Sequence, residues 1–128
     1  MRINLTSIMV CDQTNALQFY TEILGFIKKT EIPMGEHKWL TVVSQDEQNG
    51  VELLLEPITF PPAFEYQKAL KEAGIPFTSF AVHNLNMEYE RLVKRGVTFT
   101  TRPMEMGNAK IAVFDDTCGN NIQIAQLL

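Results

Sequence analysis

The sequence predicts an α+β fold made of two βαβββ modules. Three observations predict it. Apolar and polar residues alternate through a series of short runs, the period of half-buried strands. Two longer stretches instead repeat apolar residues at helical spacing. One order of elements, strand, helix and three strands, then occurs twice. "LTSIMV" at residues 5–10 aligns with "FTSFAV" at 77–82 with Thr, Ser and Val in place, an offset of 72. "LGFIKKT" aligns with "RGVTFTT" at an offset of 71. A repeated offset over matching element types marks an internal duplication.

The elements follow in order. Residues 3–10, "INLTSIMV", read as a strand with Leu5, Ser7 and Met9 on one side and Ile8 and Val10 on the other. "CDQTNALQFYTEILGF" reads as a helix striped by Ala16, Phe19, Tyr20, Ile23 and Leu24. Asp12 or Thr14 can cap its start, and Gly25 suits a left-handed residue at its end. "FIKKTEI", "KWLTVVS" and "VELLLEP" read as strands, the last two joined by "QDEQNG", in which Asn49-Gly50 is a turn signal. "PITFPPAFEYQKALKEAGIP" is rich in proline and reads as a linker holding a short helix, Ala63 to Glu72. The pattern then returns: strand "PFTSFAV", helix "LNMEYERLVKRG", strand "VTFTTRP", and a hairpin of "AKIAVFDD" and "NNIQIAQL". The expected divisions are module one at 1–57, linker at 58–74 and module two at 75–128, within a single domain. Each module exposes a sheet face that one helix cannot cover, so modules or chains should pair.

Composition narrows the functional classes. With 45% hydrophobic and 20% charged residues, the chain can bury a core without staples. A net charge of −4 gives no basic patch, which argues against nucleic acid and anionic membrane as partners. No apolar run reaches membrane-span length, and "MRINLTSIMV" is a poor secretory signal. The cytoplasm is expected. Two cysteines, Cys11 and Cys118, read as reduced thiols there.

Three stretches carry a resemblance: "TSIMVCDQTNALQFYTEILGF", "FAVHNLNMEYERLVKRGVTFTTRP" and "AVFDDTCGNNIQI". Together they resemble the vicinal oxygen chelate superfamily of glyoxalase I, bleomycin-resistance proteins, fosfomycin-resistance enzymes and extradiol dioxygenases. The last resembles the family's "DPDGN" hairpin, with Thr117 and Cys118 in place of Pro and Asp. The resemblance implies a curved mixed sheet around a cleft. It also implies a divalent metal there, held by His, Gln or Glu from four strands, which acts as a Lewis acid.

Carried over residue by residue, the resemblance puts the four ligand positions at Leu5, at Phe77, at Gln123, and at either Glu52 or Leu53. Pairing the Glu-Pro ends favours Leu53. Leu and Phe have no donor atom, and a metal site needs three or four. The expectation is therefore no metal and no cofactor, with Gln123 and Glu52 as weak metal candidates and a divalent metal as the alternative. The expected ligand-binding set is Leu5, Ser7, Trp39, Thr41, Leu53, Phe77, Ser79, Arg102 and Gln123, and no catalytic residue is assigned.

Other polar residues weigh less. His37 reads as a loop residue and His83 as a surface or cap residue. "RPMEMGNAK" reads as a loop over the cleft mouth, and Arg102 there can receive an anion. Cys118 falls at a turn tip, where its thiol would be exposed. The expected function is recognition of a small molecule in the inter-module cleft by a homodimer, like the bleomycin-resistance branch. The alternatives are a metal-dependent lyase, isomerase or dioxygenase and a non-catalytic subunit with a closed cleft.

Overall fold

Every predicted strand and helix forms, and the differences lie at their ends. The computed structural model describes residues 1–128 in two compact units, Met1–Phe64 and Glu65–Leu128. In the first unit β1 (Leu5–Val10) is followed by α1 (Gln13–Gln18), a π-helical turn (Phe19–Ile23), β2 (Ile27–Met34), β3 (His37–Val43) and β4 (Glu52–Pro57). They form a mixed four-stranded sheet in the order β1-β4-β3-β2, with β1 parallel to β4. α1 packs on β3 and β4. Under it Ile8, Val10, Leu40, Val42 and Leu55 are all at most 1% exposed, so alternation has delivered one dry face.

The link between the units is α2 (Pro61–Glu72), which opens on two prolines, residues that suit a first helical turn. In the second unit β5 (Thr78–Ala81), α3 (Leu85–Lys94), β6 (Phe99–Met106), β7 (Ala109–Asp115) and β8 (Asn121–Leu127) repeat the design, with sheet order β5-β8-β7-β6. α3 packs on β6, β7 and β8. Its Tyr89 meets Phe99 edge-on at 4.6 Å, and Phe99 meets Phe114 at 5.6 Å. Gln67 and Lys71, one turn apart on α2, hold the β7–β8 hairpin: Gln67 Nε2 donates to Asn120 Oδ1, and Lys71 Nζ to Asp115 and Asn121. Gly119, at φ +102, lies so close that a Cβ would meet the Gln67 amide at 2.8 Å.

The duplication now has a structural cause for each change in offset. The helix caps Asp12 and Asn84 are 72 residues apart and do the same work: Asp12 Oδ1 accepts from Asn15 N, and Asn84 Oδ1 from Met87 N. The glycines that close the helices, Gly25 (φ +93) and Gly96 (φ +87), are 71 apart. The π-helical turn, absent from α3, takes up the extra residue. Gly35 and Gly107 at the hairpin tips return to 72. β6 restores the offset with a second irregularity, between Thr101 and Met104, where β2 has one only. Replacing either cap by alanine is expected to cost about 1 kcal/mol, read by denaturant unfolding; Thr14→Ala, whose side chain caps nothing, should cost less.

Several expectations need correction. The first helix starts at Gln13 with Asp12 as its cap, not Thr14. Residues 44–51 connect β3 to β4, a span that contains the expected "QDEQNG", but neither Asn49 nor Gly50 has positive φ, so the Asn-Gly pair does not make the turn it signals. His37 opens β3 and pairs with Met34 rather than standing in a loop. Residues 102–106 belong to β6, because the tip is tight and both strands run to it. Cys118 is fully buried, drawn in because its N–H donates to the Asp116 carboxylate.

Candidate ligand-binding faces

Each sheet has a second face, opposite its helix. On the first sheet the register sets Leu5 beside Glu52, Ser7 beside Leu54 and Met9 beside Glu56. β3 adds Trp39 and Thr41, with Thr41 beside Leu54. Thr41, fully buried, donates its hydroxyl to Glu52 Oε1 at 2.7 Å. Trp39, paired with Ile32, is 37% exposed and Ile32 52%. The face is thus largely apolar, with two carboxylates standing in it.

On the second sheet the register sets Ser79 beside Gln123, and Gln123 beside Val113. Ile122 and Ile124, at 0% and 3% exposure, point to the helix side, which leaves Gln123 on the open face. Its Nε2 donates to Ser79 Oγ at 2.9 Å. The amide therefore has a partner in its own sheet, and its oxygen and the serine proton stay available to a guest. Phe77 precedes β5 and continues the ladder through its N–H to Asn121 O, 2.8 Å. Its ring meets Tyr66 edge-on at 6.3 Å.

Two of the predicted residues are not on these faces as expected. Leu53 lies in register with Thr6 and Val42 on the helix side, 9% exposed, so it cannot fill a slot beside Leu5. Glu52 is on the open face, yet it is not the counterpart of Gln123 either. Gln123 stands beside Ser79, and the residue that stands beside Ser7 is Leu54. Arg102 falls in the irregular part of β6 with no partner in register, and its side chain is exposed. His83 is exposed and stands one residue before the cap, which is Asn84. A recess of about 530 Å³ in the first unit, lined by Asp12, Gln13, Glu36, His37 and Leu40, contains none of the predicted ligand-binding residues.

Comparison with known proteins now has a fold and a face to attach to. The family model of the Glyoxalase/Bleomycin resistance protein/Dioxygenase superfamily matches residues 2–124. The chain belongs to this superfamily. A relative of similar sequence is the uncharacterized protein YurT of Bacillus subtilis (strain 168), 59% identical over 126 residues, covering 98% of this chain and 99% of that one. Among solved structures, that of UcmS2 is 32% identical with a TM-score of 0.83, over 98% of this chain and 97% of that one. That of TnmS3, described as an antibiotic binding protein from Streptomyces sp. CB03234, is 25% identical with a TM-score of 0.80, over 100% and 97%.

The superfamily's fold implies a divalent metal, so the residues at the implied positions matter. With the register in hand they are Leu5, Leu54, Phe77 and Gln123. Three are hydrocarbon. The fourth offers one neutral amide oxygen. No group of three or more His, Cys, Asp or Glu side chains gathers anywhere to hold an ion. This donor set does not fit a divalent cation, which needs several N, O or S atoms at about 2–2.5 Å. No helix is long and apolar enough to cross a membrane.

Proposed function

We propose that this superfamily member binds an organic small molecule on the open faces of its sheets and performs no metal-centred chemistry. The observation that carries this reading is hydrocarbon at three of the four implied ligand positions, Leu5, Leu54 and Phe77. What those side chains can do is line an apolar surface on each sheet, Leu5 and Leu54 on the first and Phe77 on the second, where Gln123 and Ser79 add a hydrogen-bonding pair. That TnmS3, of similar fold, is an antibiotic binding protein supports the same kind of function. A cytoplasmic homodimer is part of the proposal, since each sheet carries its helix on one face only and needs a second layer.

The test has two arms. Elemental analysis of purified protein, followed by titration with Zn²⁺, Ni²⁺ and Mn²⁺, is expected to find no stoichiometric ion. One bound ion per site, lost in Gln123→Ala, would overturn the reading. A thermal-shift library should yield a stabilising organic ligand, worth about 2.7 kcal/mol at one hundred times its dissociation constant. A library without a single hit would also count against it.

A further inference from the structure

Charge in the first unit is sorted by sheet face. Its four cations are Arg2, Lys28, Lys29 and Lys38. Lys28 and Lys38 both pair with Glu31, at 3.5 and 3.6 Å, on the helix side. Lys29 stands at the irregularity of β2, and its Nζ donates to Gln48 O and Asn49 Oδ1 of the 44–51 connection. Arg2 lies before β1 and lines a separate recess with Asp46 and Glu47. The open face keeps only the carboxylates of Glu52 and Glu56, and neither has an ion-pair partner.

Those carboxylates have unusual company. Glu52 stands between Leu5 and Leu54 and is held by the hydroxyl of the fully buried Thr41. Glu52 is half-buried and accepts one neutral hydrogen bond, so an ammonium brought to it adds a charge-assisted bond beside apolar neighbours. Glu56 is exposed and next to Met9. The β3–β4 ladder ends at Thr41 and Leu54, and the Gln13 amide bridges Lys38 O and Leu55 O beyond it; Trp39 and Glu56, each two residues past that last pair, lie on the same face by alternation. An indole face beside a carboxylate suits a flat cation twice, by area and by the attraction of cations to aromatic rings.

From this charge sorting we infer the ligand class: an aromatic organic cation, its ring on Trp39 and its positive charge received by Glu52 and Glu56. The inference rests on the ligand-binding reading above and adds the sign and shape of the guest. A neutral or anionic ring would cover the same apolar surface but leave the carboxylates uncompensated.

The experiment uses one ring in two charge states, 9-aminoacridine (a cation at neutral pH) and acridine-9-carboxylate. Binding is followed by calorimetry and by quenching of Trp39, the only tryptophan in the chain. The cation is expected to bind at least about tenfold more tightly, a difference of about 1.4 kcal/mol. The double variant E52Q/E56Q should remove that preference. E31Q, which deletes a carboxylate from the helix side, should keep it; this separates contact on the face from the chain's overall negative charge. Equal binding of the two acridines, or a preference that survives in E52Q/E56Q, overturns the inference and leaves small-molecule binding standing. So does binding of neither acridine by a protein that the library stabilises. A protein that no library compound stabilises fails at the earlier reading instead.

Discussion

Asp116→Ala is expected to destabilise the protein by about 3–5 kcal/mol, measured by denaturant unfolding followed by circular dichroism. Asp116 is fully buried and works as the hub of the β7–β8 hairpin. Its Oδ1 accepts from the N–H of Cys118 at 2.7 Å and of Asn120 at 2.9 Å, and its Oδ2 accepts from Asn120 Nδ2 at 2.8 Å. These bonds hold a chain that turns through Thr117 at φ +62 and Gly119 at φ +102. Asn120 in turn accepts from the buried Gln67 amide of α2. Alanine would strand three donors away from water, each at a cost of about 1–3 kcal/mol before relaxation. Asp116→Asn keeps the shape and one acceptor oxygen, so it should lose less. An alanine variant as stable as the parent would show that the hairpin does not depend on this carboxylate.

Phe114→Ala is the second large effect, again about 3–5 kcal/mol. The ring is 0% exposed, pairs across the sheet with Ile122 and Phe99, and meets Phe99 edge-on at 5.6 Å. Phe99 passes the contact on to Tyr89 of α3. Truncation opens a cavity where helix and sheet meet, and the rigid sheet cannot collapse to fill it. Hydrogen exchange should speed up in α3, β7 and β8. Phe114→Leu, which retains most of the volume, should recover more than half of the loss. If Phe114→Ala costs under about 1 kcal/mol, the helix-side core is not packed as described here.

The faces of individual strands were legible in the sequence. Ile8 and Val10 against Ser7 and Met9, and Ile122 and Ile124 against Gln123, came directly from alternation. The caps were legible only in part: Asp12 was one of two candidates with Thr14, and the second cap is Asn84, not its neighbour His83, because the Asn84 side chain reaches the Met87 N–H. The counterpart of Gln123 on β4 was not legible. Matching Glu-Pro ends pointed to Leu53, and the residue in register is Leu54. The cause is the length of the connections: residues 44–51 join β3 to β4, while 116–120 join β7 to β8, so the offset between modules falls from 72 to 69 after them. An odd change in offset turns a residue to the other face. Cys118 shows the same limit. Its place in a turn suggested exposure, and only the Asp116 carboxylate, reaching across the turn, draws it inside.

The amino-acid order by itself determined the element types, the duplication and the alternation of sides along a strand, though not which side of β4 faces away from the helix. These depend on neighbours within a few residues, through backbone geometry and burial. The tertiary structure alone decided which residues stand beside which across strands: Leu54 with Ser7, Thr41 with Glu52, and the lysines on the far side from Glu52 and Glu56. Those pairings are set by bulges, a π-helical turn and the lengths of connections, each a one- or few-residue change whose effect appears only when the chain closes on itself.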